Sequence, residues 1–162
     1  MTIAEIAQRM IDFYAGSQHD ICHSLKVYAY AKTIGELEHL DKTTQETLEA
    51  AALVHDIACP VCREKYGNAN GKYQELESPA ILAGFFRAGE LPEAMLRRIV
   101  YLVSHHHTYE GVDGLDYQIL LEADFLVNAD ESHASAAAIQ AMREKVFRTK
   151  AGIALLDSMY LR

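Results

Sequence analysis

Helical periodicity constrains the fold of this chain more than any other feature of its sequence. Apolar residues recur at three- and four-residue spacing, for example Ile3, Ile6, Met10 and Phe13. This spacing places them on one face of an α-helix, and no segment shows the two-residue alternation of a half-buried strand. Half of the 162 residues are hydrophobic, which is enough to bury the core of one domain. We therefore predict an all-α, single-domain helical bundle of about seven or eight helices over residues 1–162.

Composition and charge exclude several classes of protein. The formal net charge of -8 argues against nucleic acid as a partner. No apolar run approaches the roughly 18–20 residues that a membrane-spanning helix needs. The first residues, Met1 to Glu5, lack the basic segment and apolar core of a signal peptide. We expect a cytoplasmic protein, a monomer or a homodimer, that acts on a small anionic substrate with the help of a metal or of a few basic side chains.

Helical periodicity disappears between residues 58 and 76. Turn-forming residues, Gly67 and Gly71 among them, predict a long irregular connection there. Unstructured loops of this length are uncommon in compact domains and are often functional, so we expect this one to cover or shape a site. The next helix is predicted to begin at Ser78, with Pro79 in its first helical position.

Cys59 and Cys62 have C-x-x-C spacing within this stretch. The chain has three cysteines, and an odd number does not suggest a disulfide framework. A zinc or redox site and a pair of ordinary thiols both remain open. A zinc site usually needs a second such pair, and a thioredoxin-like site needs a βαβ pattern. The sequence has neither, which favours ordinary thiols.

The most informative motif is the His-Asp doublet formed by His55 and Asp56, which closes an apolar helical run. A buried charge is costly unless it is paired or bound to a metal. A divalent cation satisfies both side chains at once, because it binds an imidazole nitrogen and a carboxylate oxygen. The doublet therefore predicts a metal site.

Further candidate ligands lie at or near the ends of other apolar helical segments. His23 begins a helical stripe. Asp124 lies among apolar neighbours, where a carboxylate demands a cation or hydrogen bonds. Three adjacent histidines cannot easily all bind one ion, because side chains about 100° apart diverge on a helix. One or two of His105, His106 and His107 are therefore predicted to be ligands.

This set of residues resembles the HD superfamily of metal-dependent phosphohydrolases. The resemblance is carried by His23, the doublet His55-Asp56 and Asp124, and it covers about residues 20–130. It implies that these four residues bind one divalent ion and that the helical bundle is of the HD-domain type. The set contains no thiolate, so Mn, Fe, Co, Ni, Mg and Zn are all chemically reasonable.

Some members of the superfamily hold a second ion. They place an extra His after the doublet and a His or a His-His pair before the last Asp. In this sequence His105 and His106 match the pair, whereas Glu77 stands where the extra His is expected. Glutamate is an acceptable oxygen ligand. A second site built from Asp56, Glu77, His105 and His106 therefore remains open, and so does a site with a single ion.

The resemblance implies hydrolysis of a nucleotide or another small phosphate ester by a metal-activated water. With two ions, Asp56 would bridge them, and His107 or His106 would protonate the leaving group. Arg63 and Lys65, in the irregular stretch, are candidates to bind the substrate phosphate on the ground of their charge alone.

Two other functions compete with this one. A few HD-like proteins are di-iron oxygenases with a similar ligand set, but their sites are rich in His, and Glu77 weighs mildly against this function. A non-catalytic, metal-stabilised helical binding module is the other alternative. Such a module need not retain all four ligand residues, so the intact set argues against it.

Overall fold

The computed structural model describes residues 1–162 and contains nine α-helices and no strand, which confirms the all-α prediction. None of the helices combines the length and the hydrophobicity that crossing a membrane requires. The helices are α1 (Ile3–Tyr14), α2 (Gln18–Leu37), α3 (Lys42–Val54), α4 (Cys59–Tyr66), α5 (Gly71–Phe85), α6 (Glu93–His105), α7 (Leu115–Glu131), α8 (Ala136–Lys145) and α9 (Lys150–Tyr160).

Three helices, α2, α3 and α7, form the centre of the molecule and pack against one another. Helix α1 covers α3 and α2 on one side, α6 packs on α3, and α9 closes the other side against α7 and α2. Every residue from Thr47 to Val54 at the end of α3 is buried, and so is every residue from Tyr117 to Asp124 of α7. Polar side chains on these segments therefore lie inside the core.

Local capping defines several of the helix starts. The Thr2 side chain accepts a hydrogen bond from the Glu5 amide, and the Glu5 carboxylate accepts one from the Thr2 amide, which forms a capping box. The side chain of Asp41 accepts from the Thr44 amide at the start of α3. These contacts satisfy amide groups that have no partner within the first turn of a helix.

The stretch predicted to be irregular contains two helices, so that prediction was wrong. Helix α4 begins at Cys59, and Pro60 lies in its first turn, where the missing amide hydrogen of proline costs nothing. Gly67 ends α4 with a left-handed backbone (φ +76°). Only residues 67–70 separate α4 from α5. An eight-residue helix is too short to produce a clear periodicity.

The predicted helix start at Ser78 was also wrong, because Ser78 and Pro79 lie inside α5. Ser78 is buried, and its hydroxyl donates to the Gln74 carbonyl one turn earlier. Proline in this position cannot donate a hydrogen bond to the carbonyl of Glu75. Packing of α5 along α6 maintains the helix through this position.

Candidate metal centre

Four parts of the fold bring buried His and Asp side chains to one point. His23 lies on α2 and Asp124 on α7. His55 follows the last residue of α3, and Asp56 comes directly after it. His106 follows the last residue of α6. Asp124 lies in the middle of its helix rather than near an end as predicted.

The first group consists of His23, His55 and Asp124, all of them buried. The two Nε2 atoms of His23 and His55 are 3.1 Å apart, and Asp124 Oδ1 lies 3.2 Å and 3.4 Å from them. Asp56 borders this group: its Oδ2 is 3.3 Å from His23 Nε2 and 3.5 Å from His55 Nε2. The structure thus brings together the four residues predicted to hold one metal ion.

A second group consists of His55, Asp56 and His106. The other oxygen of Asp56, Oδ1, lies 3.2 Å from His106 Nε2. His106 is 1% exposed, so its ring is committed to this group. Asp56 therefore stands between the two groups, with one carboxylate oxygen turned to each.

The outer nitrogen of each of these imidazoles has a hydrogen-bond acceptor. Nδ1 of His55 lies 2.7 Å from the Ala52 carbonyl, and Nδ1 of His106 lies 2.7 Å from the Val103 carbonyl. A carbonyl only accepts, so these Nδ1 atoms carry the proton. In the neutral rings the Nε2 lone pairs therefore face the Asp56 carboxylate, an arrangement that also fixes ring orientation in metal sites.

Glu131 provides the hydrogen-bond acceptor for the outer nitrogen of His23. Its carboxylate oxygens lie 3.0 Å and 3.1 Å from His23 Nδ1. Sequence reasoning missed this residue, although a signal exists: Glu131 follows Asp124 by seven residues, or two helical turns, on the same face of α7. The carboxylate orients the ring and makes its inner nitrogen a stronger ligand.

The electrostatics of the centre favour positive charge. Burial opposes protonation of His23, but the carboxylates of Asp124, Asp56 and Glu131 outweigh it and raise its pKa to about 9. Burial likewise opposes ionisation of Asp56 and Asp124, yet the surrounding imidazoles hold the pKa of both carboxyls below the usual value. Both carboxylates are therefore charged, and the cation beside them is either a protonated imidazole or a metal ion.

A divalent metal ion fits this donor set. Oδ1 of Asp124 is buried and receives no hydrogen bond, and its nearest polar neighbours are the inner nitrogens of His23 and His55. Ligand atoms around an ion with bonds of about 2.1 Å lie about 3.0–3.4 Å apart, for six or four ligands respectively. The separations of 3.1, 3.2 and 3.4 Å among His23, His55 and Asp124 agree with this range.

The second group offers fewer ligand atoms than the first. His55 has only one nitrogen facing inward, because the other donates to Ala52, and one lone pair binds one ion. If His55 binds in the first group, Asp56 and His106 alone remain for the second. Structural and catalytic metal sites usually have at least three protein ligands.

Neither Glu77 nor His105 lies in these groups. The Glu77 carboxylate accepts hydrogen bonds from Lys65 at 2.6 Å and from the Tyr66 hydroxyl at 2.5 Å. The His105 ring stacks on Tyr101 with ring centroids 4.1 Å apart, and its Nδ1 lies 2.7 Å from the Tyr101 carbonyl. Both side chains are therefore engaged away from the centre.

The two cations predicted to bind phosphate form ion pairs within the protein. Arg63 Nη2 lies 2.5 Å from a carboxylate oxygen of the buried Asp20, and Lys65 is held by Glu77. Half of the Arg63 side chain remains exposed (47%). A phosphate would have to compete with these carboxylates.

His107 lies beside the centre, with its ring centroid 3.9 Å from that of His106. Its Nε2 is buried and has no hydrogen-bond partner. Burial and the neighbouring His106 lower the pKa of His107 to about 4, so the ring is neutral near pH 7. This does not favour the imidazolium acid predicted for this position, since an efficient acid has a pKa near the working pH.

Helix α5 holds the segment that carries His107. Glu75 accepts hydrogen bonds from the His107 amide at 3.3 Å and from the Thr108 hydroxyl at 3.0 Å. Gly71 packs directly on the His107 ring, and a Cβ atom there would lie 2.6 Å from His107 Cγ. Sequence reasoning missed both contacts, because they join residues more than thirty positions apart.

Cys59 and Cys62 are buried on α4 and belong to neither group. Burial raises the pKa of both thiols, most strongly that of Cys59. A thiol that stays protonated is a poor nucleophile and a poor metal ligand. The structure thus favours two ordinary core thiols.

An all-helical domain with a buried His/Asp centre suited to a divalent ion defines the class of this protein. The model of one protein family, described as "HD domain", matches residues 20–140, which include every residue of the centre. The chain therefore belongs to the HD domain family, within the superfamily of HD metal-dependent phosphohydrolases. Comparisons with curated proteins and with solved structures found no significant match.

Proposed function

We propose that this protein is a metal-dependent phosphohydrolase that acts on a nucleotide or another small phosphate ester. One observation carries the proposal: in the core of an HD domain, the inner nitrogens of His23 and His55 both lie within 3.5 Å of a carboxylate oxygen of Asp124 and of one of Asp56. A divalent ion bound there lowers the pKa of a coordinated water and neutralises charge on a phosphoryl group.

The residues of the chain have separate tasks in this proposal. His23, His55, Asp56 and Asp124 hold the ion. Glu131 keeps the His23 ring in its binding orientation through the contact at 3.0 Å. His106 Nε2 lies 3.2 Å from Asp56 Oδ1, and as an imidazolium, with a proton on both ring nitrogens, His106 would donate a hydrogen bond that orients this carboxylate when a single ion is bound.

A small substrate agrees with the charge of the protein. The net charge of -8 disfavours long polyanions, whereas a single phosphate group is attracted by a local cation. Asp56 is the most accessible of the four ligand residues, with 21% of its side chain exposed, so substrate reaches the centre on its side.

The test begins with the metal. Protein purified without chelators is analysed by inductively coupled plasma mass spectrometry, and phosphate release is measured with nucleotides and p-nitrophenyl phosphate in Mn²⁺, Ni²⁺ or Mg²⁺. Asp124→Asn keeps the shape of a ligand and removes its charge, and Asp12→Asn makes the same change on the exposed face of α1. We expect Asp124→Asn to lose more than the roughly 10–100-fold that supporting residues contribute, and Asp12→Asn to retain activity.

Two results would reject the proposal. One is protein with no bound transition metal and no phosphate release after Mn²⁺ or Ni²⁺ is added. The other is phosphate release that Asp124→Asn leaves unchanged. Bound iron with oxygen consumption and no phosphate release would instead support the oxygenase alternative.

A further inference from the structure

Three unpaired basic side chains stand close together at the junction of α8 and α9. Lys145, Arg148 and Lys150 are exposed, while Phe147 and Thr149 between them are buried. None of the three forms an ion pair, whereas eight of the other twelve basic side chains do. In a chain with a net charge of -8, such a cluster offers a binding surface for an anion.

Two of these cations line a cavity of about 490 Å³. Lys145 and Arg148 stand on one side, and the other walls include Tyr109, Leu115 and Leu121. No acidic residue lines the cavity, and five of its nine lining residues are hydrophobic. Ligand pockets combine an apolar lining with a few placed polar groups in this way.

Gln118 supplies a hydrogen-bond acceptor to the same cavity. Its amide nitrogen donates to the Glu122 carboxylate at 2.7 Å and to the Val146 carbonyl at 2.8 Å, which uses both of its hydrogens. Its Oε1 has no hydrogen-bond partner in the protein and is not fully buried. The free acceptor therefore favours a ligand that carries an N–H donor.

The cavity adjoins the metal centre along two parts of the chain. Leu121 lies one helical turn before Asp124 on α7, and residues three apart on a helix are neighbours. Tyr109 follows His107 by two residues, and the His107 ring lies against that of His106, with ring centroids 3.9 Å apart. The cavity therefore lies beside the part of the metal centre that α7 and the segment after α6 contribute.

We infer that this cavity, the leaving-group pocket, binds the non-reacting part of the substrate. Its occupant is an aromatic group that carries an N–H donor and a negative charge in addition to that of the reacting phosphate. The ring packs on Tyr109, the N–H group donates to Gln118, and the extra charge faces Lys145 and Arg148. The conclusion that the occupant is part of a substrate rests on the proposed function. The conclusion that the pocket binds a ligand rests on the residues that line it.

The test compares two probes of known charge. Adenosine 3′,5′-bisphosphate and adenosine 5′-monophosphate share the aminated ring and differ in one phosphate group. Their dissociation constants are measured by isothermal titration calorimetry on the full chain. We expect the bisphosphate to bind more tightly, and Lys145→Ala to weaken it by about three- to fivefold with little effect on the monophosphate. Arg148 is unsuitable for substitution, because its guanidinium also holds the backbone carbonyls at the end of α8.

A matched control uses another unpaired lysine. Lys26 is exposed, forms no ion pair and lines a different cavity, between α2, α7 and α9. Lys26→Ala removes the same charge, and we expect it to leave the preference for the bisphosphate unchanged. Tyr109→Ala should weaken both probes, because both share the ring.

The outcomes separate this inference from the proposed function. Absence of binding by either probe, or equal losses in Lys145→Ala and Lys26→Ala, would overturn the leaving-group pocket even if p-nitrophenyl phosphate is hydrolysed. Binding that depends on Lys145 in a protein that releases no phosphate would support the pocket and reject the phosphohydrolase.

Discussion

Substitution of Gly71 by alanine tests whether α5 positions the segment beside the metal centre. A Cβ atom at residue 71 would lie 2.6 Å from Cγ, 2.8 Å from Cβ and 3.0 Å from Cδ2 of His107. Ordinary contacts begin at 3.4 Å, so the ring or the start of α5 must move by about 0.8 Å. The segment cannot slide away freely, because Glu75 holds both the His107 amide and the Thr108 hydroxyl.

This displacement sets the expected magnitudes. Overpacking of this kind costs about 1–3 kcal/mol of unfolding free energy. For a chain of this length, that lowers the Tm by about 3–9 °C. The His107 ring lies against that of His106, which faces Asp56. Displacement of a group by about 1 Å near reacting atoms can cost up to about 100-fold in rate, so we expect phosphate release to fall by about 10–100-fold.

Gly84→Ala provides the control, because Gly84 lies in the same helix and a Cβ atom there meets no atom within 4 Å. Alanine is the better helix former, so this variant should unfold at the same temperature as the wild type or slightly higher. Differential scanning calorimetry gives the Tm, and proton NMR of the His ring hydrogens reports whether His107 has moved. A Gly71→Ala protein with wild-type stability and an unshifted His107 resonance would refute the close packing.

Two further substitutions test other contacts in the same way. Glu131→Gln should weaken Mn²⁺ binding about 10–100-fold, measured in competition with a fluorescent chelator, because His23 loses its carboxylate partner. Asp130→Asn, at the exposed neighbouring position, should leave the affinity for Mn²⁺ unchanged. Equal affinities of the two variants would contradict the role of Glu131. Gly152→Ala should lower the unfolding free energy in urea by about 2–4 kcal/mol, since its Cβ would lie 1.9 Å from Glu122 Oε2 inside a buried hydrogen-bonded network. Wild-type stability of that variant would contradict this packing.

The fold class could be predicted because apolar spacing is a local property of the sequence. The same local signals failed around Pro60 and Pro79. Proline is compatible with the first turn of α4, and α5 continues through Pro79 because it packs along α6. Whether a proline begins a helix or lies within it depends on the neighbouring helix, and periodicity within one segment contains no information about that.

The residues that form the first group could also be singled out from the sequence. A His-Asp doublet at the end of a buried helix needs a cation, whichever other parts of the chain supply the remaining ligands. Asp124 also needs a cation, because its carboxylate is buried. Glu77 differs from them, because its partner Lys65 stands one helix away on α4. An exposed lysine and a glutamate twelve residues apart give no sequence signal that they pair.

The His-Asp motif identifies the family of this protein and does not identify its substrate. Part of the proposed substrate pocket lies outside the residues that match the family. The match ends at residue 140, whereas Lys145 and the start of α9 lie after it. Buried Glu122 fastens this C-terminal part to α7, since its carboxylate accepts the Thr149 hydroxyl at 2.5 Å and the amides of Arg148 and Thr149 at 2.7 Å and 3.0 Å. Helix α7 therefore contributes both Asp124 to the metal centre and one wall of the leaving-group pocket. The candidate metal ligands lie within the family match, whereas three residues that line the pocket, Lys145, Val146 and Arg148, lie beyond it, so a change in these three would alter the pocket and leave the motif intact.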